Sequence, residues 1–539
     1  MLMTGAEAVV EALRRAGVEV VFALPGQQMD ALFNAFHHAR DNIRLIHPRH
    51  EQATVYMANG YALATGRIGV ACVVPGPGLL NASAALATGF SQNAPVLCIT
   101  GQIPSRFIGK GTGQLHEIKN QLNAVTGFTK VQYSIDKPRQ VPARLSRAMS
   151  YALEGPPRPV VVEIPPDVLQ AKAEIGWGGY RLVEQARERP EKKSIDRMAG
   201  VLADAKRPLI FAGSGAIAAS DSLTALAEAL GAPVVMSQYG LGAIDYRHPL
   251  AHSLIGGAEL WPEVDVVLAV GTRFSLPRTW GLDKVKVLRI DADFRSLEGK
   301  AEMTCCADAE TALPALVRAL KGLEPANAWD PAALARAKAD AEARMEREMG
   351  LSHAYARAIR AGIPDDGFVC FDITQLGYHA WWGYPTYGPR TNIRSGYMGT
   401  LGFAFPTSLG AKVAVPDKPV VCVTGDGGFM FGMQELATAV QHKINLVVVV
   451  MNDGGYGNVR RYHDDIYHGE RIATELPGPP YADVARLFGW EAMTAKSPDE
   501  LTRALRRAIQ RDRPVLIEVP VGAFPSWQHF IPRRRLRGK

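Results

Sequence analysis

Two acidic residues in this chain stand where glycine-rich turns could place them beside a phosphate. The first is Asp426, in Val420-Val421-Cys422-Val423-Thr424-Gly425-Asp426-Gly427-Gly428-Phe429. An apolar, strand-like run feeds the glycine turn, and the spacing predicts a helix over Met433 to Gln441. Glycines let backbone amides approach an anion closely, and a helix N-terminus offers unpaired N–H groups to phosphate. A carboxylate in the same turn adds a hard oxygen, and magnesium takes few protein oxygens together with phosphate and water. The second acid is Asp453, in Asn452-Asp453-Gly454-Gly455-Tyr456-Gly457-Asn458, which follows the apolar run Leu446 to Met451. A parallel sheet delivers the carboxyl ends of its strands to one edge. Asp426 and Asp453 are therefore expected to converge on one magnesium ion beside a diphosphate. One Gly-Asp-Gly turn is weak evidence, whereas two acid-bearing glycine loops on neighbouring strands are far less easily a coincidence.

A third acid, Glu51, lies near the N-terminus in Pro48-Arg49-His50-Glu51-Gln52-Ala53. Asn59-Gly60-Tyr61-Ala62-Leu63-Ala64-Thr65-Gly66 follows, then Val74-Pro75-Gly76-Pro77-Gly78-Leu79-Leu80-Asn81. With Gly425 to Asn458, these stretches resemble the thiamine diphosphate-dependent enzymes of the acetolactate synthase, pyruvate oxidase and benzaldehyde lyase superfamily. The family's C-terminal motif opens with Gly-Asp-Gly and closes about 30 residues later with a pair of asparagines or close variants. The closing pair here is Asn452-Asp453, so the resemblance puts the ligand on Asp453. Its N-terminal pattern is Arg/Lys-His-Glu-x-x-Ala, a Gly-Tyr-Ala helix and Gly-Pro-Gly-x-x-Asn. The alanine comes one place early here, at Ala53. The likeness continues through Ile99-Thr100-Gly101-Gln102 to Phe128-Thr129-Lys130.

The resemblance implies thiamine diphosphate and Mg2+ as cofactors. Glu51 would bind the aminopyrimidine and stabilise its imino tautomer, so that the cofactor's own exocyclic nitrogen takes the C2 proton. A backbone carbonyl near Gly455 would complete the metal's protein ligands. Gly399-Thr400-Leu401-Gly402-Phe403-Ala404-Phe405-Pro406 looks like the segment that supports the thiazolium, with Leu401 as the bulky wedge. Thr374 and Gln375 fall where the family contacts the diphosphate. The family sets the glutamate and the magnesium site on different subunits, which implies a homodimer or homotetramer. Gln27 and Gln28 replace the small residues of acetolactate synthases, and Gln28 stands where benzaldehyde lyase-like enzymes have a histidine. His116 falls where both carry a glutamine, and a histidine there could act as acid or base. Tyr462 replaces a tryptophan that favours a second 2-oxo acid. These four residues make the expected substrate pocket, with Gln28 and His116 as catalytic candidates. The implied activity is a carboligase, lyase or decarboxylase acting on 2-oxo acids or 2-hydroxy ketones. A non-catalytic cofactor-binding homologue and a flavin-dependent 2-oxo acid oxidase stay open as alternatives.

The elements that must hold these residues alternate between strand and helix, which predicts parallel sheets covered on both faces. Strands are expected at Val18–Ala23, Arg44–Ile46, Gly69–Val74, Pro95–Thr100 and Pro159–Ile164 in a first segment, 1–175. A second segment, 194–325, offers Pro208–Ala212, Pro233–Met236, Val264–Val270 and Val285–Ile290. The third, 350–539, offers Gly367–Asp372, Pro419–Thr424, Leu446–Met451 and Val515–Val519. Three doubly wound α/β domains result: pyrimidine-binding, central and diphosphate-binding. A polar stretch from Ala171 to Lys193 reads as a linker, and an Ala/Arg/Glu-rich helix, Pro331 to Met349, as a bridge between domains. Phe211-Ala212-Gly213-Ser214-Gly215-Ala216 resembles a dinucleotide turn, but no acid follows at the spacing that reads a ribose. Gly271-Thr272-Arg273-Phe274 matches a middle-domain pattern found with and without flavin, and Ser275-Leu276-Pro277 departs from it, so FAD is not expected but stays open.

A chain of 539 residues is too long for one core. Its 47% hydrophobic and 21% charged content is that of a globular protein, and no apolar run is long enough to span a bilayer. The start lacks a signal peptide's pattern, so a cytoplasmic setting is expected. Four of the six cysteines, Cys72, Cys98, Cys370 and Cys422, sit in apolar runs and read as buried thiols; Cys305 and Cys306 are adjacent, and no Cys-x-x-Cys spacing suggests zinc. The net charge of +7 is mild for this length. Its one cluster, Arg533-Arg534-Arg535-Leu536-Arg537-Gly538-Lys539, reads as a solvated terminus, with an anionic partner or a lid over a phosphate site as the open alternatives. No nucleic-acid motif accompanies it.

Overall fold

Runs such as Val160–Ile164, Val266–Val270 and Val447–Asn452 are β-branched and almost wholly apolar, so both of their faces need cover. The computed structural model, which describes residues 1–181, 187–299, 301–526 and 535–536, supplies it by building three six-stranded parallel sheets. Alternate residues along a strand enter different cores. Val21, Val70 and Leu97 face one cluster, while Phe22, Ala71 and Cys98 face another.

The first sheet runs Arg44–Ile46, Val20–Ala23, Gly69–Val73, Val96–Gly101, Val160–Ile164, Val131–Ser134. The third runs Asn392–Arg394, Phe368–Phe371, Val420–Gly425, Val447–Asn452, Val515–Pro520, Glu491–Thr494. Counted along the chain, both have the order 2-1-3-4-6-5, so the fold contains a structural repeat. The central sheet instead has the order 3-2-1-4-5-6, the arrangement of dinucleotide-binding folds.

The two repeats share one core. Helix Glu51–Thr65 crosses helix Ala404–Ala414, and Tyr56, Met57, Phe403 and Leu409 lie in a single buried cluster. The crossing requires glycine on both sides. A Cβ at Gly60 would lie 1.9 Å from the Thr407 carbonyl oxygen, and one at Gly410 would lie 1.9 Å from that of Met57.

One expectation needs correction and two are met. The stretch read as a linker contains a strand, Lys172–Glu174, because Leu2–Thr4 offers it an antiparallel partner; residues 182–186 of that stretch lie outside the described residues. The bridging helix ends at Met349 as expected, because Gly350 takes the non-helical φ 46° and ψ −115°; a further helical stretch continues from there to Gly362. The helical span expected over Met433 to Gln441 is present as a 3₁₀ turn at Met433–Glu435 and a helix at Leu436–Gln441, and a separate, unforeseen turn, Asp426–Met430, precedes it.

Cys72, Cys98, Cys370 and Cys422 are buried, as is Cys305, while Cys306 is exposed. Among the described residues no helix is long and apolar enough to cross a membrane. Most of the basic tail lies outside the described residues; Arg535 pairs with Asp283 at 2.6 Å.

Candidate active site

Strands Phe368–Phe371, Val420–Gly425 and Val447–Asn452 are neighbours, and their carboxyl ends meet where the strand order reverses. Each end supplies polar groups. Asp426 opens the helix Asp426–Met430, so its carboxylate sits beside the turn's N-terminal amides, that of Gly427 among its donors. It is 2% exposed, and its Oδ2 is buried without a hydrogen-bond partner among the described residues. Asp453 accepts from the Gly455 amide on Oδ1 at 3.1 Å and from Gln375 Nε2 on Oδ2 at 2.6 Å. Burial, then the charge of Asp453, pushes the Asp426 carboxyl up to about 6. Burial also raises that of Asp453. A buried carboxylate raised by the charge of a second acid is a place where a cation would be favourable. A Cβ at Gly457 would lie 2.0 Å from Asp453 Oδ2, so this turn must be bare for the carboxylate to sit as it does. Among the described residues no group of three or more His, Cys, Asp or Glu side chains gathers to hold a metal. The donor set is two acids and backbone, which suits a magnesium ion completed by phosphate.

The surrounding residues are interlocked. Thr374 caps helix Gln375–Gly383, its hydroxyl accepting from the Gly377 amide at 2.8 Å. Gln375 donates to Asp453, while its oxygen accepts from Arg461 at 2.8 Å and the Phe524 amide at 2.9 Å. Arg460 donates to the Asp453 carbonyl at 2.9 Å and ion-pairs with Glu475 at 2.6 Å. Tyr456 precedes helix Gly457–Tyr467, which carries Asn458 and the 36% exposed Tyr462. Leu401 is half-buried, between Gly399 at φ 61° and Gly402 at φ 81°. Its loop is tied down by Asp372, which sequence reasoning missed as a site residue. Asp372 is fully buried and accepts from the Gly402 amide at 3.2 Å and the Thr424 hydroxyl at 2.8 Å. Burial pushes its carboxyl up to about 6. The available signal was an acid ending the apolar run Gly367–Asp372.

Glu51 lies in the first repeat, at the start of helix Glu51–Thr65. His50 caps the helix, its Nδ1 accepting from the Gln52 amide at 3.2 Å. Asn81 Nδ2 donates to Glu51 Oε2 at 3.1 Å. The residues around Glu51 dock behind the segment that follows the Asp426–Met430 turn of the same chain: Arg49 donates its amide to buried Glu435 at 3.0 Å, and Gln52 donates to the Phe431 carbonyl at 3.0 Å. Glu51 itself has no hydrogen bond to either acid loop among the described residues. Gln27 is exposed, whereas Gln28 and His116 meet, Gln28 Oε1 to His116 Nδ1 at 2.7 Å. Beneath them Gln121 accepts from the Gly76 amide at 2.8 Å and donates to buried Glu163 at 3.1 Å. Neither Gln121 nor Glu163 was singled out from the sequence, because polar residues deep in a fold leave no periodic trace.

Comparison with known proteins decides what this geometry belongs to. Three family profiles match: thiamine pyrophosphate enzyme, N-terminal TPP binding domain, over residues 3–124; the central domain, over 195–316; and the C-terminal TPP binding domain, over 372–519. A probable 2-ketoarginine decarboxylase from Pseudomonas aeruginosa is 32% identical, covering 96% of this chain and 94% of its own. The acetolactate synthase large subunit of Haemophilus influenzae is 32% identical over 96% of this chain and 94% of its own. The acetolactate synthase isozyme 3 large subunit of Escherichia coli is 31% identical over 100% and 97%.

The chain belongs to the thiamine diphosphate-dependent enzymes. It stands with their acetolactate synthase and pyruvate oxidase superfamily, whose members here include both transferases and a decarboxylase. The two cofactor-binding profiles fall on the two repeats with the 2-1-3-4-6-5 order. In the central domain of this enzyme two glycine-bearing strand ends approach closely. The Gly213 and Gly215 amides donate to the Val270 and Gly271 carbonyls at 2.9 and 3.2 Å. A Cβ at Gly213 would lie 2.1 Å from the Gly271 oxygen, and Phe274 packs into a buried cluster with Phe211, Trp261 and Trp280.

Proposed function

We propose that this enzyme uses thiamine diphosphate and Mg2+ to break or make the bond next to a carbonyl, as a carboligase, lyase or decarboxylase acting on 2-oxo acids or 2-hydroxy ketones. The observation that carries the reading is the buried, unpartnered Oδ2 of Asp426 beside Asp453 at the switch point of the third sheet. Asp426, Asp453 and a backbone oxygen near Gly455 hold the metal. The amides of Gly425, Gly427 and Gly428, with Thr374, receive the diphosphate, and Gln375 orients Asp453. Tyr456, Gly457 and Asn458 close this side of the site. Leu401 would support the cofactor's ring, on a loop that Asp372 holds through the Gly402 amide.

When bound, thiamine diphosphate supplies an electron sink for the bond beside the carbonyl. Glu51, oriented by Asn81, holds the aminopyrimidine through one hydrogen bond and sets its tautomer. Gln27, Gln28, His116 and Tyr462 face the substrate. A second copy of the chain brings Glu51 of one subunit to the acid loops of the other, making a homodimer or homotetramer. Exposed apolar side chains bordering these loops, Leu80, Met398, Met430 and Phe431, support such pairing. Six free cysteines suit a reducing compartment such as the cytoplasm.

The test is a substrate panel with purified protein, thiamine diphosphate and Mg2+, against pyruvate, basic and aromatic 2-oxo acids, and 2-hydroxy ketones, with products read by mass spectrometry. Turnover of at least one class is expected. No turnover of any, together with no cofactor binding by calorimetry, would sink the reading.

A further inference from the structure

The turn Val74–Gly78 follows strand Gly69–Val73 and touches two different polar groups. A Cβ at Gly78 would lie 3.6 Å from Glu51 Oε1. A Cβ at Gly76 would lie 2.6 Å from the His116 carbonyl oxygen and 3.0 Å from its Cα. Glu51 and His116 therefore flank one short turn at the switch point of the first sheet. Gln28 reaches the same place from the end of the neighbouring strand, Val20–Ala23.

Both Gln28 and His116 hold left-handed backbone, at φ 79° and φ 69°. Side chains other than glycine seldom take that region, and such strain persists where the surroundings over-determine it. Here the result is one defined hydrogen-bond pattern. Gln28 Nε2 donates to the Leu115 carbonyl at 2.8 Å, so the amide's other end, Oε1, faces His116 Nδ1 at 2.7 Å. An amide oxygen can only accept. Nδ1 must then carry a proton, and in the neutral ring Nε2 holds the lone pair. No hydrogen bond engages Nε2 among the described residues, and the carboxylate of neighbouring Glu117 is taken by the Gly111 and Gln114 amides.

We propose that Gln28 and His116 form a proton-transfer dyad for 2-hydroxy ketone chemistry. Gln28 is the positioning residue that fixes the tautomer, and His116 is the acceptor that meets the substrate. When the C–C bond of a 2-hydroxy ketone breaks, the substrate hydroxyl gives its proton to Nε2. The O–H electron pair would become the π bond of the released carbonyl, and the cofactor, when bound, would supply the sink for the C–C pair. The imidazolium keeps its Nδ1–H on Gln28 Oε1 and returns the Nε2 proton when the reaction runs toward bond formation. A carboxylate that leaves as CO2 has no such proton to lose, so the dyad serves ligation and cleavage more than decarboxylation. This deepens the proposed function and rests on the Val74–Gly78 turn bordering the cofactor.

The test reads the ring directly. Long-range 1H–15N spectra of histidine-labelled enzyme, with His116 signals assigned by their loss in His116→Gln, should show the Nδ1–H form without any substrate. Gln28→Glu retains an acceptor and should keep that form. Gln28→Met removes it and should release the ring to the Nε2–H form that free imidazole favours in water. In parallel, the ratio of 2-hydroxy ketone cleavage to 2-oxo acid decarboxylation should fall at least tenfold in Gln28→Met, through kcat more than KM, and recover in Gln28→Glu. An Nε2–H ring in the wild-type enzyme overturns the proposal, as does equal loss of both reactions or a wild-type enzyme that neither cleaves nor forms any 2-hydroxy ketone. Calorimetry separates the two levels: failure to bind thiamine diphosphate removes the underlying reading and the dyad with it, whereas binding with an Nε2–H ring removes the dyad alone.

Discussion

Replacing Asp426 by asparagine should stabilise the metal-free enzyme while removing its response to metal and cofactor. The carboxyl of Asp426 is pushed up to about 6 from an ordinary 3.8, first by burial and then by the charge of Asp453. A folded-state value above the unfolded one means that the folded protein retains a proton the unfolded chain has lost. Stability of the metal-free protein then falls as pH rises from about 4 to about 6, and stays low above that. A rise of about two units, at about 1.36 kcal/mol each, is worth roughly 3 kcal/mol. Asparagine keeps the shape without the charge, so above pH 6 it should recover on the order of 2–3 kcal/mol in the absence of metal. Magnesium cancels the same penalty in the wild-type protein but finds one ligand fewer in the variant. The assay is urea unfolding at pH 5 and pH 8, with EDTA and with Mg2+ plus thiamine diphosphate. Asp426→Asn should be the more stable protein at pH 8 in EDTA, with a smaller margin at pH 5, and should gain nothing from Mg2+ and cofactor. A variant less stable than wild type at pH 8 in EDTA would refute the reasoning, because the site would then not be short of a cation.

The other expectations are narrower. Glu51→Gln should bind thiamine diphosphate within about tenfold of wild type yet lose about 10²–10⁴ in turnover, measured by calorimetry and steady-state kinetics. Magnesium affinity should weaken as pH drops below about 6, where a proton competes for Asp426; titrations at pH 5 and pH 7.5 would show it. Gly60→Ala places a methyl 1.9 Å from the Thr407 oxygen, so the two repeats must part and unfolding should become easier by about 1–3 kcal/mol or more. An unchanged urea midpoint would show that the helix crossing yields.

What the sequence made legible follows from which groups leave a pattern. Central strands are buried on both faces, so Val447–Asn452 and Val160–Ile164 show as apolar runs. Strands at sheet edges need less cover, and Val131–Ser134, Ala251–His252, Met303–Cys306, Asn392–Arg394 and Glu491–Thr494 were all unforeseen; each is an edge. Arg44–Ile46 is the edge strand that was expected. The same logic applies to the site. Asp426 and Asp453 announce themselves because glycines surround them, and Glu51 because a motif does. The start of the phosphate-loop helix did not, since two glycines conceal the turn Asp426–Met430. Gln121 and Glu163 act through contacts with residues distant in sequence, and nothing local marks them, while Asp372 leaves only the trace of an acid ending an apolar run. Gln28 and His116 were each expected as catalytic candidates, but their pairing lies across 88 positions and nothing local marks it.

The most direct measurement is a calorimetric titration of metal-stripped protein with thiamine diphosphate, in Mg2+ and in EDTA, on wild type and on the double variant Asp426→Asn/Asp453→Asn. The account predicts saturable binding of one cofactor per chain in Mg2+, and its loss both in EDTA and in the double variant. Equal affinity in EDTA, or undiminished binding by the double variant, would contradict it.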